Sequence, residues 1–355
     1  MIEICRSIVR EEFEILSVNE HSSSRADIIL GMPRRGGLRE AFENLYPRLT
    51  THGCYPLVRR SENGLVLHIF AGGDTHGRIL LNVVLALATL ITVFLSGLAL
   101  STAGDQFKVG GFAWSPTAYL IGLLTPLIMH ELGHWSVMRM YRTPASLPYL
   151  IPAPPLQLGF LGTFGAVINL RWLPPSASSL TLMAIMGPLV GYIIALPLAI
   201  YGLHSSLITA EAPEGTITLP LIPVSLLILA MTIDVPSGYY IIFSPLAFAS
   251  YVVFFVTFLN LIPIAMLDGG HVIRGVAGTQ AHLFISRLFI VTLALLSFIY
   301  PQLFLFAILA LVLYLMTGGR HPGPSMGVEG LTRSTIISSI VYGILLILTI
   351  PIPII

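Results

Sequence analysis

Two histidines four residues apart bracket a glutamate in the run His130-Glu131-Leu132-Gly133-His134. On a helix, residues i and i+4 lie one turn apart on the same face, so both imidazoles reach a single metal ion. The Glu between them is then placed to handle a proton on water at that ion. Three fixed residues in five is a pattern that chance supplies often, and an isolated histidine pair reads more readily as polar residues hydrogen-bonded inside a helix bundle. Its setting gives it weight. It lies in an apolar run from about residue 117 to 140, where a carboxylate is costly and needs a reason.

A catalytic zinc site uses three protein ligands and leaves one position open. Within the apolar spans and their immediate ends the only acids are Glu131 and Asp268. Asp268 is therefore the expected third ligand beside His130 and His134, with His271, one helical turn on, as the alternative. Asp268 lies in the segment Asn260-Leu261-Ile262-Pro263-Ile264-Ala265-Met266-Leu267-Asp268-Gly269-Gly270-His271. Pro263 and the glycine pair are expected to break the helix there, which is tolerated in a membrane only inside protein or beside a wet cavity. Asn260 either offers a carboxamide donor to a substrate carbonyl or oxyanion or satisfies backbone groups next to Pro263. The stretch Gly159–Ala166, with Gly162, Thr163, Phe164 and Gly165 at its centre, could as a strand accept an extended substrate by edge pairing; close helix packing or a plain loop is the other reading. Gly187-Pro188-Leu189-Val190-Gly191 reads as a packing face against the histidine helix. His204, His282 and the histidines before residue 79 read as exposed or boundary residues, and His321-Pro322-Gly323-Pro324 as a loop marker.

The elements that must position these residues follow from composition. The chain has 355 residues, 55% hydrophobic and only 10% charged, with mean hydropathy +0.86. Soluble domains carry about 25% charged residues, so this is a multi-pass integral membrane protein with the lipid bilayer as a partner. A net charge of +1 gives no reason to expect nucleic acid. Residues 1–78 hold ten Arg and ten Asp or Glu; the other 277 residues hold eight basic and seven acidic side chains. Ordinary water-exposed charge density thus stops at Arg78. The two cysteines, Cys5 and Cys54, make no C-x-x-C and no framework, so a reduced, cytosol-facing head is expected. Residues 1–20 carry no signal-peptide pattern.

Apolar runs at 79–103, 117–138, 181–203, 245–267, 283–299, 301–317 and 335–354 are the expected spans. Arg-rich links before the first span and after the second and fourth, against an acidic link after the third, put the N-terminus in the cytosol of a cell-membrane protein. This brings His130, His134 and Asp268 to the cytosolic side at similar depth. Leu219–Ile233 is short for a span and is expected to be re-entrant or to lie along the edge of the core. In the head, Leu38, Phe42, Leu45 and Leu49 predict an amphipathic helix, and Asn63-Gly64 between apolar runs predicts a hairpin. The expected fold is an α-helical polytopic membrane protein of about six to seven transmembrane helices, with a short β or re-entrant segment and a small N-terminal cytosolic α/β domain. The expected divisions are a head over 1–78, a core over 79–290 and C-terminal helices over 291–355.

The motifs His130-Glu131-Leu132-Gly133-His134, Gly162-Thr163-Phe164-Gly165, Gly187-Pro188-Leu189-Val190-Gly191 and Asn260-x-x-Pro263-x-x-x-Leu267-Asp268-Gly269-Gly270 resemble, in this order, those of the site-2 proteases, which are intramembrane zinc metalloproteases. The likeness covers about residues 79–290. It implies one zinc ion held by His130, His134 and Asp268, with Glu131 as base and Asn260 near the scissile peptide. It also implies a transmembrane-protein substrate presented as a strand by Gly162–Gly165. The head, with Gly31-Met32-Pro33-Arg34-Arg35-Gly36-Gly37, is similar to the archaeal and chloroplast subgroup. Val190 departs from the small residue usual at its motif position, and neither a PDZ-like insertion nor a CBS pair is expected. A metal-binding membrane transporter or receptor without hydrolytic activity is the alternative from a different class, and a catalytically silent scaffold is a third.

Overall fold

Helix and sheet separate along the chain as the charge does. The computed structural model describes residues 2–62, 64–72, 79–106, 108–211, 216, 218–327 and 331–353. The first seventy residues form α1 (Ile2–Glu12), β1 (Phe13–Ser22), β2 (Arg25–Pro33), α2 (Leu38–Thr51), β3 (Cys54–Ser61) and β4 (Gly64–Ala71). The strands make one antiparallel sheet in the order β1-β2-β4-β3. Burial alternates along β2 and β3, so every second side chain faces the two helices. Phe42, Leu45 and Leu49 of α2 are fully buried on that face. The β3–β4 hairpin forms with Ser61 opposite Gly64, while Asn63 itself lies outside the described residues.

One expectation for this unit is overturned. Cys5 and Cys54 are joined in a disulfide, with Cα atoms 6.2 Å apart. Residues 49 apart in sequence give no signal of spatial closeness; α1 packing across the sheet brings them together.

The rest is helical. α3 (Ile79–Gln106), α4 (Pro116–Met140), β5 (Tyr149–Pro152), β6 (Thr163–Val167) and α5 (Ala177–His204) come first. Then follow β7 (Leu207–Thr209), β8 (Leu221–Pro223), α6 (Val224–Ala230), β9 (Tyr240–Ile242), α7 (Pro245–Leu261), α8 (Asp268–Ile299), α9 (Phe304–Met316), α10 (Arg333–Thr349) and β10 (Pro351–Pro353). Three described helices are long and apolar enough to cross a membrane: α3, α5 and α8. α4 has 25 residues, but His130, Glu131, His134 and Arg139 dilute its apolar character. α7 and α10, and residues 306–316 of α9, are shorter apolar helices. Tyr119, Ala184, Ala195, Ala247 and Phe254 lie in one buried core among α4, α5 and α7.

Two boundaries differ from those read off the sequence. The fourth apolar run ends as a helix at Leu261, and Gly269-Gly270 does not break a helix but sits in the first turn of α8. Both glycines press against the loop before them: a Cβ on Gly269 would strike the Leu261 carbonyl, and one on Gly270 the Ala265 carbonyl. α8 then runs from Asp268 to Ile299 with its non-helical point at Gly278. Within Leu219–Ile233 the helix is α6, of seven residues, about 10 Å long against a hydrocarbon core of about 30 Å.

The contacts fall into two groups. Toward one end, Tyr46 Oη donates to the Leu173 carbonyl, Trp172 Nε1 to the Pro56 carbonyl, and the Val58 N–H to the Ser325 carbonyl. Toward the other, Trp114 Nε1 donates to the Ser205 carbonyl and β10 pairs with β8.

Two outcomes are expected for the N-terminal unit. Peptide mapping without reductant recovers Cys5 linked to Cys54, and Cys54→Ser loses on the order of 2–4 kcal/mol of stability. Between β2 and β4, burial pushes the Asp27 carboxyl up, but bonds from His68 at 2.7 Å and His21 at 3.0 Å outweigh it and hold its pKa below the usual value. A carboxyl depressed on folding contributes stability that is complete above its unfolded pKa of about 4 and is lost as pH falls through the folded one. Asp27→Asn therefore flattens the acid side of the melting-temperature profile below about pH 5.

Candidate metal centre

α4 begins cleanly because Ser115 caps it, accepting the Ala118 N–H at 3.1 Å, and Pro116 fills the first turn. Its second half carries His130, Glu131 and His134, each less than a tenth exposed. α5 lies against that half at very close range. A Cβ on Gly133 would meet the Met186 carbonyl, and one on Gly187 would land on the His134 imidazole. A Cβ on Gly191 would come to 3.0 Å from the Cβ of His130. Small residues on both helices thus let the α5 backbone touch the histidine face.

That closeness fixes a tautomer. The Nδ1–H of His134 donates to the Met183 carbonyl of α5 at 2.7 Å. Its Nε2 is left with a free lone pair, the usual arrangement of a metal-bound histidine. His134 Nε2 lies 3.0 Å from His130 Nε2. The carboxylate of Asp268 completes the group, with Oδ2 at 3.3 Å from His130 Nε2 and Oδ1 at 3.3 Å from His134 Nε2. All three donor atoms fall within 4.8 Å of one another. A tetrahedral zinc with bonds of about 2.0–2.1 Å separates its ligand atoms by roughly 3.3–3.4 Å. The donor set, its spacing and its burial fit that ion.

Asp268 is delivered by the loop 262–267. Breaking the helix there frees backbone groups, and the far part of α8 satisfies them. His282 Nε2–H donates to the Ala265 carbonyl at 3.0 Å, Ser286 Oγ donates to the Pro263 carbonyl at 3.1 Å, and the Ala265 N–H reaches Ser286 Oγ at 3.3 Å. Ala265 itself has φ +46°, a conformation that side-chain-bearing residues rarely take. His271 stands outside the group. Its Nδ1–H donates to the Leu267 carbonyl at 3.0 Å, and its ring meets His321 edge-on with centroids 4.6 Å apart.

Two histidines thus differ from their reading as boundary or loop residues. His282 is fully buried and His321 is 4% exposed, their ring centroids 5.4 Å apart. A usable signal existed: the spans expected from the sequence put His271 and residue 321 at the same end of the bundle.

Glu131 shares the turn of the two histidines, and its carboxylate makes no hydrogen bond among the described residues. Asn260 sits half-buried on the last turn of α7, likewise without a side-chain hydrogen bond among them. It does not serve the backbone beside Pro263, which α8 serves. Thr163–Val167 is a strand, paired with β5 and with no strand on its other edge among the described residues. Gly162, just before it, is pressed on the middle of α3, where Thr92 Oγ1 donates to its carbonyl at 2.6 Å. Thr163 Oγ1 donates to the Ile151 carbonyl at 2.8 Å, tying β6 to β5. Phe164 is largely exposed and stacks edge-on with Phe160, and Gly165 faces Ile151 across the ladder. A cavity of about 690 Å³ lies between Thr51 and the end of α4, lined by Trp135, Arg139, Arg142 and Thr143, and none of the three donor residues lines it.

Comparison with known proteins agrees with this geometry. The model of peptidase family M50 matches residues 118–299, which contain His130, Glu131, His134 and Asp268. The probable zinc metalloprotease EGY1, chloroplastic, of Arabidopsis thaliana is 28% identical over 176 residues, covering 47% of this chain and 30% of the relative. The protein of the same name from Oryza sativa subsp. japonica is 28% identical over 177 residues, covering 47% and 28%. The chain thus matches less than a third of the length of these curated relatives. No solved structure matches it. Because the matched segment holds every donor of the buried group and extends over half of the chain, the protein belongs to peptidase family M50, the site-2 protease family.

Proposed function

We propose that the protein is an intramembrane zinc metalloendopeptidase that hydrolyses peptide bonds in or beside membrane-spanning segments of other membrane proteins. The observation that carries this reading is the convergence of His130, His134 and Asp268 within 4.8 Å beside buried Glu131. Zinc in such a donor set polarises a carbonyl and acidifies water. His130, His134 and Asp268 hold the ion, and the Met183 carbonyl keeps His134 in the binding tautomer. Glu131 takes a proton from the attacking water and passes it to the leaving amine nitrogen. Asn260 donates its carboxamide N–H to the oxygen on which charge develops. The edge of β6 turned away from β5, along Thr163, Phe164 and Gly165, offers main-chain groups to an extended substrate, while Gly162, its N–H and carbonyl already bonded to Pro154, Ala153 and Thr92, fixes the start of that edge. A helical substrate hides its carbonyls, so the segment to be cut must first unwind.

The same reading assigns six to seven membrane spans to α3, α4, α5, α7, α8 and α10, with α9 as the seventh. The head over 1–78 and the links 141–176 and 318–332 share one side of the membrane, the core runs over 79–290, and the helices over 291–355 complete the bundle. Contacts grouped at two ends support this: the head touches Leu173 and Ser325, whereas Trp114 touches Ser205.

Three variants test the assignment in the full chain reconstituted in bilayers with a single-span reporter. Glu131→Gln keeps zinc, measured by mass spectrometry, and loses cleavage by at least about 10²-fold; cleavage at the wild-type rate removes Glu131 as the base. Asp268→Ala loses zinc, and unchanged metal content returns His271 as the ligand. Gly187→Ala pushes a methyl into the His134 ring and lowers zinc content without touching a donor. Zinc in the wild type with no cleavage of any spanning reporter would favour the non-hydrolytic reading.

A further inference from the structure

The segment Arg320-His321-Pro322-Gly323-Pro324-Ser325-Met326-Gly327 joins α9 to α10 and has loop composition, yet it is anchored at both ends. Its second half docks on the N-terminal unit. The Val58 N–H donates to the Ser325 carbonyl at 2.8 Å, and Met326 bridges β3 in parallel with its side chain fully buried in the head's core. Ser325 Oγ donates to the Pro56 carbonyl and also accepts the indole N–H of Trp172. Arg59 of β3 gathers three strap carbonyls: Pro322 at 3.1 Å, Pro324 at 3.2 Å and Ser325 at 3.0 Å.

The first half docks on the helix that carries Asp268. Arg274 Nε donates to the His321 carbonyl at 3.3 Å. The His321 ring packs edge-on against His271, one turn after Asp268, and against His282, which holds the Ala265 carbonyl of the loop that delivers Asp268. The strap is fitted tightly here. Gly323 has φ +74°, and a Cβ on it would strike the Arg274 guanidinium.

The polar groups of this contact are not all used. The Gly323 N–H donates to His321 Nδ1 at 2.9 Å, so the neutral ring carries its proton on Nε2, which is buried without an acceptor among the described residues. His282 donates through Nε2, so its Nδ1 is an acceptor, buried without a donor among the described residues. An unused donor and an unused acceptor thus sit on adjacent rings. A shift of the strap that joined them would satisfy both and would alter the hold of His282 on Ala265. This donor pattern argues against a second metal site: His321 would have to give up its Gly323 bond or its last proton to bind an ion.

We infer that the 320–327 strap relays the docking of the N-terminal unit to the third metal ligand, and that His321 is a positioning residue for Asp268 acting through His271 and His282. The head is then a regulator: whatever loosens β3 from the strap loosens the loop 262–267. This inference rests on Asp268 being a metal ligand, so the test reads the metal and the loop separately.

The experiment uses the full chain in nanodiscs, wild type beside Arg59→Ala, His321→Ala, the Arg59→Ala/His321→Ala double variant and His321→Asn. Two quantities are read: the rate of zinc loss to a chelator, and deuterium uptake of peptides over 262–275 and over β1–β4. Each single variant is expected to speed zinc loss by about 10–100-fold, the usual effect of removing an outer support of a metal ligand, and to raise uptake over 262–275. Unchanged uptake over β1, β2 and β4 shows that the head stays folded. His321→Asn, which can keep the Gly323 bond but not the ring contacts, is expected to behave as the Ala variant. The double variant is expected to be no worse than the more severe single one, since both cut the same connection. Zinc loss and 262–275 uptake at wild-type values in Arg59→Ala would overturn the relay. So would full additivity in the double variant. A wild type without zinc would remove the metal assignment, while the uptake over 262–275 would still decide the coupling.

Discussion

One interhelical hydrogen bond sets the terms for the rest of the molecule: the Nδ1–H of His134 on the Met183 carbonyl of α5. A carbonyl inside a helix is already occupied by its own ladder, so reaching it from a neighbouring helix requires the two backbones to approach unusually closely. Gly133, Gly187 and Gly191 exist at that contact for this reason. The approach in turn leaves no room for a larger side chain at any of them. What results is a histidine whose lone pair is aimed before any ion arrives, so little ordering has to accompany binding.

Asp268 obeys a different constraint. It cannot sit mid-helix on α7 and reach the pair on α4, so the chain stops at Leu261, turns through Pro263 and Ala265, and restarts at Asp268. An interruption in a low-dielectric core exposes backbone groups whose neglect is costly. His282 and Ser286, placed one turn apart on the distant half of α8, take up three of those bonds. The loop between α7 and α8 is thus repaired from beyond Gly278, and the geometry of the acid depends on residues well down α8.

Much of this was legible in the sequence, for definite reasons. A core almost empty of charge made Glu131 and Asp268 conspicuous, and period 3.6 along Leu38–Leu49 marked α2. The Asn-Gly turn marked the hairpin of β3 and β4. What escaped was long-range. Cys5 and Cys54 carry no spacing code for a two-cysteine chain. Gly269-Gly270 reads as a helix breaker because glycine is a poor helix former; only the proximity of the Leu261 and Ala265 carbonyls explains why it stands inside a helix. His282 and His321 look like membrane-boundary histidines until the strap folds over them. Arg59 is separated from its Pro324 partner by 265 residues, and no local pattern encodes such a pairing.

The same strap has a bearing on solubility. A four-stranded sheet has two rims, each a row of open main-chain donors and acceptors that invites pairing with another copy. On the β3 rim, Ser325–Gly327 closes the row at Val58 and Pro56 contributes no N–H at all. On the β1 rim the register slips at three places and Glu14 and Glu20 stand along it, so a neighbour would meet a bent, negatively charged template. The molecule thus guards one rim with its own chain and the other with irregularity and charge. Displacing the strap from β3 would uncover open main-chain groups at Val58, flanked by Tyr55 and Leu57, and leave that rim free to pair with another strand.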